Sequence, residues 1–249
     1  MPTSVSETTA GRTSASLHLG SYLKTGWELF KRYPGGFIGY TVLLFVISII
    51  LGLIPSIGNL AYSVICGPLH MGLFIVTAKL MQGHRAQFSD FFLGFRFFVP
   101  LLLVLLLVGL FFLICIIPVA LVGALAIFLL GEMAGMVLMA PLVLLLLICL
   151  SSAFMFVYPL VIDRRLGCWT ALKLAYDTLS PRWLRVIGFL LLFLLINMAG
   201  AICLVIGLLV TLPVSMCALT AAFADIFGLQ SDYGEGFPDN VVSDKSPGV

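Results

Sequence analysis

A few polar side chains interrupt the long apolar runs of this sequence: Asn59, His70, Asn197, Thr211, Ser215 and Asp225. Polar residues inside a membrane are costly and are functional candidates by default. His70 stands two residues after Pro68, and Pro213 stands between Thr211 and Ser215. A proline removes one backbone hydrogen bond and frees a carbonyl, and transporters build their sites at such interrupted helices. Pro68, His70, Asn197, Thr211, Pro213 and Ser215 therefore form the candidate polar site near the bilayer midplane. The plainer alternative is favoured: the prolines set curvature and His70 bonds the freed carbonyl, as neighbouring groups routinely do.

A second set lies at the edges of the apolar runs: Lys24, Trp27, Lys79, Arg164, Arg165, Trp169, Lys173 and Asp225. Basic and aromatic residues there suit anionic lipid headgroups, but they also anchor any multi-pass protein, which is the commoner case. Lys79 and Asp225 are expected at comparable depth, so a salt bridge between them competes with snorkelling of Lys79 to the interface. Glu132, the sole charge between Phe97 and Ile162, reads as a solvated loop carboxylate. No nucleophile beside a base, no carboxylate pair, no HExxH and no glycine-rich phosphate loop occurs in a usable context. The 6 cysteines form no CxxC pair, and most sit in apolar runs where cysteine acts as a small hydrophobe. No catalytic residue, metal or cofactor is expected.

The elements that position these residues follow from composition. An ordinary globular chain is about a quarter charged and just under half apolar, whereas this one is 10% charged and 61% hydrophobic over 249 residues, with a mean hydropathy of +1.19. A helix needs about 20 apolar residues to cross a bilayer, so the length accommodates six crossings and no sizeable soluble domain. The expected spans are 37–54, 59–81, 99–119, 136–161, 184–203 and 208–227, with 121–135 as an external hairpin that includes partly buried helix. Residues 17–33 and 166–183 read as amphipathic helices at the interface, with Trp27 and Tyr33 at headgroup level. The tails 1–16 and 229–249, the second acidic, read as disordered.

Six crossings place all 13 Lys and Arg residues on one side or at its edge, which the positive-inside rule identifies as the cytoplasm, with both termini there. The chain also aligns with itself. Leu23-Lys24 falls against Leu172-Lys173, Trp27-Glu28 against Tyr176-Asp177 and, after a short gap, Pro68-Leu69 against Pro213-Val214. Four crossings separate equivalent points, so the expected duplication is a parallel repeat of amphipathic helix, span, turn and proline-broken span. The apolar stretch 97–162 then reads as a connector between two related units.

Several motifs, Gly26-Trp27-Glu28-Leu29-Phe30-Lys31-Arg32-Tyr33-Pro34, Gly67-Pro68-Leu69 with Gly72, Asp90-Phe91-Phe92-Leu93-Gly94-Phe95, Tyr158-Pro159-Leu160-Val161-Ile162-Asp163, Ala171-Leu172-Lys173 and Ala224-Asp225-Ile226-Phe227-Gly228, carry a family resemblance. The chain from Tyr22 to Gly228 resembles poorly characterised bacterial six-span membrane proteins related to the membrane domain fused to some glycerophosphoryl diester phosphodiesterases. The resemblance implies a six-span helical bundle without an assigned activity, and the hydrolase domain of the fused relatives has no counterpart here. The expectation is an all-α polytopic bundle in the bacterial cytoplasmic membrane that is non-enzymatic. It would bind or organise lipids, other membrane proteins or further copies of itself, and no nucleic acid. The alternative is a transporter of a small or amphiphilic substrate.

Overall fold

The computed structural model describes residues 19–54, 57–202, 204–234 and 237. Among them are nine α-helices and no strand: α1 (Leu19–Arg32), α2 (Pro34–Gly52), α3 (Ile57–Met81), α4 (Phe98–Leu130), α5 (Glu132–Phe154), α6 (Val157–Arg164), α7 (Cys168–Leu179), α8 (Trp183–Ile202) and α9 (Leu204–Ile226). A 3-10 segment, Phe88–Phe97, precedes α4, and a 3-10 turn, Ser180–Arg182, joins α7 to α8. Six stretches are long and apolar enough to cross a bilayer: α2, α3, α4 with its 3-10 segment, α5 with α6, α8 and α9. The chain is an all-α, multi-pass integral membrane protein. The expected N-terminal tail, 1–16, lies outside the described residues.

The helix breaks differ from expectation in three places. Pro34 opens α2 after a one-residue interruption at Tyr33, because a first-turn residue has no intrahelical partner for the N–H that proline lacks. Pro68 and Pro213 lie inside α3 and α9, which run through them. Both helices are thus continuous where an interruption was expected, since one missing donor leaves the rest of the hydrogen-bond ladder intact. The hairpin expected over 121–135, with helix in it, narrows to one residue: α4 stays helical to Leu130 and Gly131 alone reverses the chain with φ 84°, a left-handed angle suited to glycine. Glu132 opens α5, where its carboxylate meets the positive end of the helix dipole.

Burial runs opposite to hydrophobicity. In α4 and α5, the most apolar spans, only 6% of the span window is buried, against 61% in α3 and 56% in α9. Thus α3 and α9 form the centre and the α4–α5 hairpin the flank, its leucines left for lipid to cover. Two hydrophobic cores meet on α3. Phe74, Ile75 and Ala78 pack with Val157, Ala171, Ala175, Phe223 and Tyr233, while Leu69, Leu73 and Val76 pack with Phe37, Tyr40, Phe91 and Cys217.

Close backbone approach sets the remaining elements. The 3-10 segment lies along the second half of α3, with the Phe91 carbonyl where Gly72 would carry a Cβ. Helix α1 runs antiparallel along α9, with Tyr22 bonded to Asp225 and Gly26 against the Ala218 backbone. The order amphipathic helix, span, span occurs twice, as α1–α3 and α7–α9, but the two copies pack differently. Whereas α1 lies on α9, α7 lies against α4, α5 and α6.

The disordered acidic tail expected from 229 onward is corrected over its first part. Tyr233 is 1% exposed and Phe237 6%, packed against each other and against Phe74 and Phe97. Low hydrophobicity across 229–249 hides two aromatic side chains that enter the main core.

Candidate functional site

The candidate midplane residues separate into two groups. Asn197 on α8 donates through Nδ2 to the Phe193 carbonyl at 2.8 Å and to Ser215 Oγ on α9 at 3.0 Å. One turn along, Thr211 packs against Gly200. Asn197 Oδ1 and Thr211 Oγ1 are buried without a hydrogen-bond partner among the described residues. His70 does not join them: its Nδ1 lies 2.8 Å from the Cys66 carbonyl in its own helix. The carbonyl that Pro68 leaves without an N–H donor is Val64's, one turn geometry earlier, so the expected role of His70 in satisfying it is not met. Asn59 is exposed in the first turns of α3. Pro68 and Pro213 occupy two different packing environments, α3 against the 3-10 segment and α9 against α8.

The rim residues also resolve. Lys79 pairs with Asp90 at 2.9 Å, their side chains 11% and 12% exposed, while Asp225 accepts the Tyr22 hydroxyl. Neither of the alternatives for Lys79, a bridge to Asp225 or snorkelling to the interface, is what forms: the 3-10 segment brings Asp90 along α3, and Asp90 also accepts the Gln87 N–H that caps this segment. Arg164 donates to the Phe227 carbonyl, and Arg165 lies 5.3 Å from the Phe97 ring centroid. Lys24, Trp27, Trp169 and Lys173 remain exposed.

A cluster that sequence reasoning missed gathers the ends of α3, α6 and α9. Asp163, 2% exposed, accepts the N–H groups of Gln230 at 3.0 Å and Ser231 at 3.1 Å and the Tyr233 hydroxyl at 2.9 Å. Ser231 donates its hydroxyl back to the Asp163 carbonyl. Gln82, at the end of α3, donates to the Ser231 carbonyl and accepts the Tyr233 N–H, both at 2.8 Å. His84 lies 3.3 Å from Asp232. Burial, and then the Asp163 carboxylate beside it, holds the Tyr233 phenol well above its ordinary range. The cluster is a strap, in which the Asp163 carboxylate is taken up by two backbone N–H groups and a phenol. Its only sequence signal was Asp163 closing the Tyr158–Asp163 motif.

Open space lies elsewhere. A cleft of about 340 Å³ between α5, α7 and α8 is walled by Cys149, Leu172, Ala175 and Leu179, with Tyr176 and Trp183 among its lining residues. A second cleft, of about 280 Å³, lies farther along the α5–α8 seam, past Ser151 and Phe193 to Asn197. Ligand pockets typically span roughly 300–1,000 Å³, and apolar walls of this kind suit hydrocarbon. Among the described residues no group of three or more His, Cys, Asp or Glu is placed to hold a metal. No protein-family description, curated protein or solved structure matches the chain.

Proposed function

We propose that this chain is a non-enzymatic protein of the bacterial cytoplasmic membrane, both termini in the cytoplasm, that holds and organises lipid at the seam of α5, α7 and α8. The carrying observation is the cleft of about 340 Å³, apolar along Leu172, Ala175 and Leu179 and edged by Tyr176 and Trp183. Such a wall offers an acyl chain burial and offers a polar metabolite almost nothing to bond. The proposal includes kinship with the six-span proteins named above. Gly26, Gly72, Asp90 and Asp163, drawn from their shared motifs, all occupy packing or helix-end positions, which fits a common bundle rather than a common reaction. The internal repeat belongs to the same reading, supported by the twofold order of elements.

Purification in mild detergent followed by native mass spectrometry tests this. The wild-type chain is expected to retain a lipid, and Cys149→Phe, which fills the cleft, to lose it. Equal retention by both would overturn the reading. A transporter is the second reading, favoured by the two partnerless buried oxygens, Asn197 Oδ1 and Thr211 Oγ1. Under it, Asn197→Leu abolishes movement of a fluorescent lysophospholipid into proteoliposomes with the fold intact; under the first reading, the variant leaves lipid retention unchanged.

A further inference from the structure

We propose that the outward faces of α1 and α7 form a docking surface for the headgroups of anionic phospholipids, which rests on the lipid-holding reading and names its headgroup class. The spacing comes first. On α1, Lys24, Trp27 and Lys31 lie one turn apart on the exposed side, opposite Tyr22, Leu29 and Phe30, which are buried. On α7, Trp169, Lys173 and Tyr176 do the same opposite Ala171, Ala175 and Leu179. Tyr22 bonds Asp225 at the end of α9, and Asp163, shortly before α7, bonds the strap that follows α9, so the two stripes flank the same end of the molecule.

The charge balance supplies the second observation. Two carboxylates at this end are buried, Asp90 on Lys79 and Asp163 in the strap, whereas Asp225 and Asp232, bonded to Tyr22 and to His84 and the Gly234 N–H, stay exposed. Among the described residues at this end, the exposed cations Lys24, Lys31, Arg32, Arg85, Arg96, Arg165, Lys173 and Arg185 outnumber the exposed carboxylates Glu28, Asp177, Asp225 and Asp232. The exposed surface is therefore cationic although the chain's formal net charge is only +2. A zwitterionic headgroup leaves that surplus uncompensated, whereas an anionic one neutralises it. Lysine acts on phosphate as a flexible point charge, and the indole and phenol rings between the lysines suit headgroup depth. Tyr176 belongs both to this stripe and to the wall of the seam cleft, which places Lys173, one turn away, beside the cleft's edge.

Tryptophan quenching by brominated lipids tests the surface. The full chain is reconstituted in phosphatidylcholine vesicles carrying either brominated phosphatidylglycerol or equally brominated phosphatidylcholine. The expected result is stronger quenching by the anionic lipid, with a preference of about fivefold for each cation engaged. The preference should shrink at 1 M salt, where the Debye length is about 3 Å, and in Lys24→Gln/Lys31→Gln/Lys173→Gln. Equal quenching by the two lipids overturns the proposal, as does a preference that neither salt nor the triple variant alters. The two readings fail separately. Lipid lost from Cys149→Phe with no headgroup preference removes only this surface, and a salt-sensitive preference with undiminished lipid in Cys149→Phe removes only the seam.

Discussion

Asp163 lies in the last turn of α6, where the negative end of a helix disfavours a carboxylate, and it is 2% exposed. It is tolerated there because the strap aims two backbone N–H groups and a phenol at it. Asp163→Asn keeps one acceptor oxygen and loses the charge that strengthens these bonds, so it should cost about 2–4 kcal/mol. Reduced Tm in detergent and faster proteolysis between Phe227 and Phe237 are the readouts. The strap should also release at alkaline pH. The Tyr233 phenol is raised by burial and by Asp163, with Arg165 opposing, so the neutral form is the one that docks. Its contribution is complete below the ordinary phenol value of about 10 and is lost as pH rises through the folded value. Alkaline proteolysis of the strap should therefore begin above about pH 10 and should lose that dependence in Tyr233→Phe. Little of this was legible in the sequence. Polar spacing shows that Asp163 and Lys79 are costly to bury, but their partners, Tyr233 and Asp90, are chosen by how distant segments fold back.

At the scale of elements, α1 shows how a pattern can be right in kind and incomplete in consequence. The recurrence of Tyr22, Leu23, Trp27 and Phe30 with Lys24, Glu28, Lys31 and Arg32 between identifies an amphipathic helix, and that helix forms, although Trp27 lies exposed and Leu29 takes a place on the buried face. Its apolar face, however, is taken up by α9. A Cβ on Gly26 would lie 2.8 Å from the Ala218 nitrogen, and backbone cannot yield as a side-chain tip does. Gly26→Leu should therefore lower stability by about 1–3 kcal/mol through overpacking and lift α1 from α9. A shift in Trp27 fluorescence, measured in Trp169→Phe/Trp183→Phe, would report that movement; an unchanged Tm and spectrum would contradict the packing. Prolines mislead in the opposite direction. Pro68 and Pro213 read as interruptions because the sequence shows the missing donor and not the rest of the ladder that keeps α3 and α9 continuous. The same blindness hides which span is central, since lipid and protein interior favour the same side chains. The leucine-rich α4 is flank, and α3, with its threonine, lysine and histidine, is core.

Across the whole molecule, the strap decides a question that hydropathy leaves to a length argument. Ser231 and Tyr233 bond at once to Gln82, which follows α3, and to Asp163, in the last turn of α6. Residues 82 and 163 therefore share a face, and the chain between them crosses the bilayer an even number of times. Gln230 follows α9 onto that face, so the passage through α8 and α9 is even as well. The proposed orientation puts that face in the cytoplasm, on the ground that positively charged connections are retained there, and so expects Glu132, beside the Gly131 turn, outside. In a cysteine-free chain, Glu132→Cys should react with a membrane-impermeant maleimide on intact cells, whereas Ser89→Cys, exposed in the connection after α3, should react only after permeabilisation. The mirror-image result would reverse the orientation and leave the bundle standing. Labelling of both positions from the same side would show that α4 and α5 do not cross the bilayer, which removes two of the six spans while leaving residues 82 and 163 on one face.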